Sequence, residues 1–405
     1  MEERPLYRDP NLWMVFGVTL MAVLGVSSVT PAFPRVAREL GVPPQQVGQL
    51  VTSFTLPGVF LAPVLGVLAD RWGRKRVLVP SLLLFGLAGG ACALARDFRL
   101  LVGLRFLQGV GASSLGVINI TLIGDLYEGP RRAEAMGYNA SVLSVGTAAY
   151  PALGGALATL GWSYPFALPL LALPVGLLVL WKLRNPEPRN GMALGEYLRR
   201  TWGSVRDRRA LGLFGATFVT FVILYGAYLT YLPFYVEEAF GASPFVIGLL
   251  MSGMSLTTAL TSSQLGRLAR VARPPTLVGV AGLFYGLSLV GVRLAPTLGW
   301  LAVPALAFGV AQGLNIPTLQ TLLAGLAPLE QRAAFLSLNG MVLRLGQTVG
   351  PLLMGWAFGL GGMDAVLYGG AGLAGVLVGV AAWLKGEAGK QGSREQGEVR
   401  TDEGG

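Results

Sequence analysis

Apolar positions in this chain come in long blocks, with no sustained alternation of apolar and polar residues. Twelve blocks stand out, at about 12–34, 45–68, 78–95, 99–125, 135–160, 163–182, 211–236, 245–266, 276–294, 298–326, 332–358 and 363–384. About 20 apolar residues make a helix long enough to cross a bilayer, and backbone groups in lipid must be satisfied within the segment, which a helix achieves. The pattern predicts an all-α polytopic membrane protein with twelve transmembrane helices. Composition agrees, since charged residues are 13% of the chain and hydrophobic ones 53%, against about 25% charged in an ordinary soluble domain.

The net charge of +10 would suit a nucleic-acid partner if the cations were clustered on one domain. They follow the predicted membrane instead. With the N-terminus inside, 24 of the 31 Lys and Arg fall on one set of loops and tails and five on the other. Lys and Arg favour the cytoplasmic side. The expectation is a multi-pass protein of the plasma membrane with both termini cytoplasmic and no nucleic-acid partner. Charged Met1–Asp9 precedes a full-length span without a small-residue cleavage site, so the first helix is read as retained. One cysteine, Cys92, and no histidine leave no intrachain disulfide, no Cys- or His-based metal site and no Ser-His-Asp set. No phosphate-binding loop is present either. The chain is therefore not read as an enzyme, and no cofactor or metal is expected.

A shift of 200 residues brings the two halves into register. Thr30, Val36, Gly41, Pro44, Gly48 and Gly66 recur as Thr230, Val236, Gly241, Pro244, Gly248 and Gly266. Asn139, Gly146, Pro151 and Gly155 recur as Asn339, Gly346, Pro351 and Gly355. The expected organisation is a six-helix bundle over 1–182, a cytoplasmic linker over 183–210, a second six-helix bundle over 211–384 and a disordered cytoplasmic tail over 385–405. In the linker, Leu194, Tyr197, Leu198, Thr201, Trp202 and Val205 fall near one helical face, with Arg199, Arg200, Arg206 and Arg208 on the polar side. That pattern suits a helix lying in the membrane interface.

Between spans 2 and 3 stands Gly66-Val-Leu-Ala-Asp70-Arg71-Trp72-Gly73-Arg74-Lys75-Arg76. The run resembles the signature loop between the second and third helices of the major facilitator superfamily. Span 4 opens Arg105-Phe-Leu-Gln108-Gly109-Val-Gly111-Ala112, which is similar to the superfamily's fourth-helix motif. Span 1 carries Leu24-Gly25 followed by Pro31-Ala32-Phe33-Pro34, resembling the first-helix motif of the twelve-span drug:proton antiporters. Span 5 carries Gly146, Tyr150-Pro151 and Gly154-Gly155, similar to the antiporter motif centred on Gly-Pro except that Tyr150 replaces the Gly. Span 11 keeps that pair as Gly350-Pro351. The resemblance implies two pseudo-symmetric bundles rocking about a midplane site. Asp70 and Asp125 end spans 2 and 4 on the same side, so a cytoplasmic latch is expected there, formed by Asp70, Arg74 and Asp125 with Gly66, Arg71, Gly73 and Arg76 of the loop. In the family the loop Asp faces the start of the eleventh helix, here Arg332-Ala333. The second copy of the loop has Arg270 where Asp70 stands, so the charge network is expected once.

Two arginines lie within spans. Arg105 either snorkels to the interface or faces the cavity. Arg344 lies about a dozen residues into span 11, where an Arg costs about 2.5–3.5 kcal/mol and usually meets a polar cavity. It either binds an anionic group or is held by backbone carbonyls and Gln347. Further candidate cavity residues are Asn119, Asn139, Gln264, Asn315, Gln320 and Asn339, with Tyr225 and Tyr228 on span 7. No Asp or Glu lies near the middle of a span; Glu39, Asp70, Asp125 and Asp364 sit at rims. The expected activity is secondary transport by a monomer, most simply proton-coupled efflux of small amphipathic compounds. The alternatives are transport of an organic anion or anionic lipid held by Arg344, and, more remotely, a sensor that transports nothing.

Overall fold

The computed structural model describes residues 6–184, 208–326 and 332–402, with backbone alone at 332–334 and 388–402. The interfacial helix expected within 183–210 lies outside the described residues. No strand occurs among the described ones. The helices are α1 (Pro10–Leu40), α2 (Pro44–Trp72), α3 (Arg74–Cys92), α4 (Phe98–Leu126), α5 (Gly129–Leu160), α6 (Tyr164–Lys182), α7 (Arg208–Phe240), α8 (Pro244–Ser263), α9 (Pro274–Leu294) and α10 (Leu298–Leu326). A last helical run, Arg332–Asp402, breaks at Gly361 (φ −148°, ψ 25°) and Gly362 (φ 63°, ψ −150°). It therefore makes two helices, α11 (332–360) and α12 (363–402), and completes the expected twelve. The backbone of α12 runs on to Asp402, where the sequence suggested an unordered tail. Lys, Glu, Gln and Arg there are good helix formers, and they offset the interspersed glycines.

The repeat is written into the backbone. Gly41 and Gly241 both end a helix in the left-handed region, at φ 65° and 63°, which only glycine adopts freely. Pro44 and Pro244 then open α2 and α8. The first helix of each half is also interrupted at the equivalent place. In α1, a 3-10 turn at Thr30–Ala32 separates Pro10–Ser27 from Phe33–Leu40, because Pro31 and Pro34 cannot donate to the helix ladder. In α7, a π-helical stretch runs over Ile223–Tyr231. There Thr230 Oγ1 donates to the carbonyl of Tyr225 at 2.6 Å.

The halves meet along two crossings, α2 with α11 and α5 with α8. Glycine and proline pair at each. A Cβ on Gly48 would lie 3.1 Å from Pro351 Cβ, and one on Gly248 would run into the carbonyl oxygen of Pro151. Small residues let membrane helices approach to backbone contact, which is where their packing energy comes from. Gly154, inside the first half, sits so tightly against the carbonyl of Ser28 that no side chain fits. Gly137, on the same helix, has no neighbour within 4 Å of its Cβ direction. Gly154→Ala is expected to cost about 1–3 kcal/mol through overpacking. Gly137→Ala should be neutral or stabilise by up to about 1 kcal/mol. Thermal unfolding of the two detergent-purified variants checks this, and equal midpoints would refute the packing argument.

Candidate functional site

Both crossings lie in the half of the molecule away from the Asp70 loop. Beyond Gly48 and Pro351, Thr52 Oγ1 donates to the carbonyl of Thr348 at 2.8 Å, and the Thr55 and Thr348 hydroxyls are 2.9 Å apart. Across the other crossing, the Ala152 N–H donates to Ser252 Oγ at 3.0 Å. Thr52 and Ser252 are equivalent residues at the 200-residue shift, so one polar position serves both seals. At the surface, Arg38 of the first half pairs with Glu237 of the second. This end of the molecule is closed.

Toward the face carrying the Asp70 loop, hereafter the basic face, α2 and α11 part around a cavity of about 480 Å³. Its walls run down past Ala62 and Pro63 on α2 and past Gly340, Ser337 and Leu336 on α11. The cavity is thus open to the basic face and sealed at the opposite one. Its lining is mostly apolar, with Val26, Phe54 and Val117 from the first half and Met341 from the second. The polar groups are Arg344, Gln347 and Tyr225, all from the second half, with Ser27, Thr55, Thr147 and Ser337. Arg344 lies at the inner limit of the seal, one helical turn from Thr348, whose hydroxyl donates to the Arg344 carbonyl at 2.8 Å. Its guanidinium occupies the space a side chain at Gly58 would need. No carboxylate pairs with it among the described residues.

At the basic face Arg74 binds two acids. Its Nε is 2.9 Å from Asp125 Oδ2, and its Nη1 pairs with Asp70. The Arg74 side chain is only 8% exposed, so the network ties the ends of α2, α3 and α4 together. Gly73, at φ 101°, provides the reversal between α2 and α3 that only a glycine accepts freely. Arg71 and Arg76 are exposed outside the network. A Cβ on Gly66 would touch Val117 of its own half and nothing of α11. Whether Asp70 meets Arg332 lies outside the described side chains. In the second copy of the loop, Arg267 is held by Gln264 at 2.9 Å and no acid joins them among the described residues.

Several expected cavity residues sit elsewhere. Arg105 neither snorkels nor faces the cavity. It is fully buried within the first half, donating to the carbonyls of Leu50 (3.1 Å) and Gly25 (2.9 Å) and to Gln108 (2.8 Å), with Phe54 stacked 4.3 Å away. Closely packed neighbouring helices bring those carbonyls within reach. Asn119 and Asn139 form a buried knot with Thr19 among α1, α4 and α5. Asn315 donates to Thr220 at 2.7 Å between α10 and α7, the second-half counterparts of α4 and α1, and Asn339 is buried. Tyr228 is buried on Phe308 with ring centroids 4.2 Å apart. Gln264 and Gln320 are exposed away from the cavity. Of the bending motif, Pro31 and Pro34 break α1, Gly146 faces Leu20 and Val23, and Gly155 meets Pro244. A Cβ on Gly350 would lie 2.9 Å from the Val222 carbonyl oxygen. Gly58, Thr52, Ser252 and the π-helical stretch were not singled out from the sequence. The recurrence of a small hydroxyl residue at 52 and 252 was the available signal.

Two six-helix halves, a cavity at their seam and an ion-paired loop define a membrane transporter and not an enzyme. The family model described as Major Facilitator Superfamily matches residues 15–241 and 235–401, and the chain belongs to that superfamily. It is 30% identical over 365 residues to the 3-(3-hydroxy-phenyl)propionate transporter of Escherichia coli (strain K12), covering 87% of each chain. It is 26% identical over 348 residues to Multidrug resistance protein 1 of Bacillus subtilis (strain 168), covering 84% of this chain and 87% of that one. The crystal structure of the nucleoside transporter NupG shares its fold with a TM-score of 0.77 at 13% identity, over 92% of this chain and 98% of that one.

The geometry makes an accessibility prediction. With Cys92, which is buried, replaced by Ser, Met341→Cys should react with a membrane-impermeant thiol reagent applied at the basic face. Thr52→Cys, inside the seal, should react at least about tenfold more slowly. Labelling of sidedness-controlled vesicles measures this, and equal rates would show the seal to be open.

Proposed function

We propose that the chain is a secondary transporter that works by alternating access and exports small amphipathic solutes across the cytoplasmic membrane. The observation that carries this reading is a mostly apolar cavity at the seam of two repeats, open at one end and sealed at the other. Inverting which end is sealed moves a bound solute across without opening a through pore. The bias of 24 of 31 cations supports the basic face as cytoplasmic, so the described state is inward-open. In this reading the basic loop, held in shape by the Asp70–Arg74–Asp125 brace within its own half, latches the cytoplasmic end against the other half when the cavity faces outward. The multidrug relative supports efflux. The cavity lies within one chain, in keeping with a monomer. Proton coupling, if it operates, runs through the rim acids Asp70 and Asp125, because no carboxylate lines the cavity among the described residues.

A second reading is favoured by Arg344. A cation without a carboxylate partner, beside Tyr225 and Gln347 and against an apolar wall, suits an amphipathic solute carrying a carboxylate. The relative named for an aryl propionate supports it.

Flux in proteoliposomes tests both. Collapse of an imposed pH gradient should abolish uphill export if protons drive it, and unchanged export would exclude proton coupling. Arg344→Gln should lower flux of an aromatic carboxylate such as 3-phenylpropionate by about tenfold or more, the order of one lost charge-assisted contact. Under the second reading, flux of its neutral amide should change little. Equal loss of both would make Arg344 structural. Asp70→Asn should reduce transport more than it reduces folded protein in the membrane.

A further inference from the structure

Beside the charged gate, α3 and α6 leave a groove of about 510 Å³ that faces lipid at the basic end of the molecule. Lys75 and Arg76 border it from α3, and Arg184 borders it just past the end of α6. Its deeper wall is apolar, formed by Val79, Pro80 and Leu180. On the other side of α6 a second groove, of about 340 Å³, repeats the arrangement with Arg8 and Lys182 above Met14, Val175 and Leu178. Five cations therefore encircle the end of one helix.

Among the described residues their charge is not balanced by carboxylates: none of Arg8, Lys75, Arg76, Lys182 and Arg184 has such a partner. Lys75 donates to the carbonyl of Leu183, at 3.4 Å. Of the five cations at the opposite face, Arg35, Arg38 and Arg293 pair with a carboxylate, and Arg96 and Arg99 do not among the described residues. Depth is set by the indoles: Trp13 is 62% exposed, Trp72 59% and Trp181 75%. All three sit at the basic ends of α1, α2 and α6, and exposed Trp marks the headgroup level of a membrane. The cations of the two grooves thus stand at headgroup depth, and the apolar wall lies one or two turns deeper.

We propose that these grooves bind an anionic phospholipid of the leaflet on the basic face, its phosphate on Lys75, Arg76 and Arg184 and an acyl chain along Val79, Pro80 and Leu180. Basic pockets between membrane helices recognise such headgroups through charge, and acyl chains supply the apolar contact. The site abuts the gate, since Lys75 and Arg76 adjoin the buried Arg74 on the first turn of α3. An anion seated there offsets the repulsion among three successive cations at a helix N-terminus, where positive charge is disfavoured.

Native mass spectrometry of the full-length protein in neutral detergent tests the proposal, with dioleoyl-phosphatidylglycerol, dioleoyl-phosphatidylcholine and soluble glycerol 3-phosphate as probes. Surface cations contribute about fivefold each to anionic-lipid binding, so phosphatidylglycerol should bind at least about tenfold more tightly than phosphatidylcholine. The Lys75→Gln/Arg76→Gln/Arg184→Gln variant should lose that preference, while Lys75→Arg/Arg76→Lys/Arg184→Lys keeps it. An unchanged unfolding midpoint in the same detergent shows that the Gln variant remains folded. Equal binding of the two lipids, or a preference that survives the Gln variant, would overturn the proposal. Equal competition by glycerol 3-phosphate would make the site one for free phosphate. A preference seen only after Glu187→Gln/Glu196→Gln would assign the groove to the linker's own acids and equally overturn it.

Discussion

The structure depends on two places where backbone meets backbone across the seam, Gly48 on Pro351 and Gly248 on Pro151. In lipid there is little hydrophobic gain from pressing two helices together, because the tails are as apolar as the side chains. Close approach supplies dispersion contacts and short hydrogen bonds instead, and it needs small residues. Proline adds a second element, since it leaves helix backbone groups without their usual partners, and neighbouring helices must then satisfy them. Ser252, accepting from the Ala152 N–H beside Pro151, adds a backbone contact across the seam. Because both crossings lie at one end, the remaining length of the helices is free to diverge, and the cavity follows from that divergence.

Charge is distributed on the same plan. Where the halves touch at the sealed end, Arg38 and Glu237 bind across the seam. Where they part, Arg74, Asp70 and Asp125 stay within one half. A network confined to one half costs nothing when the halves separate, and its geometry persists in the open state. Exposed ion pairs of this kind are individually weak, so Arg38–Glu237 suits an interaction that must be broken and remade. Arg74 is different. With its side chain 8% exposed, loss of either acid would leave a largely desolvated cation, which fits a permanent brace at the ends of α2, α3 and α4.

Spans, repeat and the charged loop were legible because each rests on a one-dimensional pattern. Run length gives a membrane helix, and a fixed shift gives duplication. Facing direction was the illegible part. Asn119, Asn139 and Asn315 each lie mid-span, where a polar group needs a partner, and a cavity and a neighbouring helix satisfy that need equally. The structure gives them Thr19 and Thr220. Arg105 was misread for the same reason, since sequence does not show that Leu50 and Gly25 turn carbonyls toward it. Arg344 lines the cavity, and it differs in having no such acceptors among the hydrogen bonds described.

That contrast between the two buried arginines bears on how such a protein can work. Arg105 is surrounded by fixed dipoles that solvate it whatever the halves do, because its three acceptors belong to α1, α2 and α4 of one bundle. Arg344 sits at the seam, in a notch provided by Gly58 of the other bundle, with the seal on one side and open cavity on the other. Its surroundings must therefore change whenever the halves rock. A midplane cation is costly unless water, a dipole or an anion accompanies it. In the proposed cycle, closing the cavity around Arg344 alone would strip its water without replacement, whereas closing it around a bound anion would bury a matched pair. One guanidinium at the seam would in that way link the occupancy of the site to the ease of closing it.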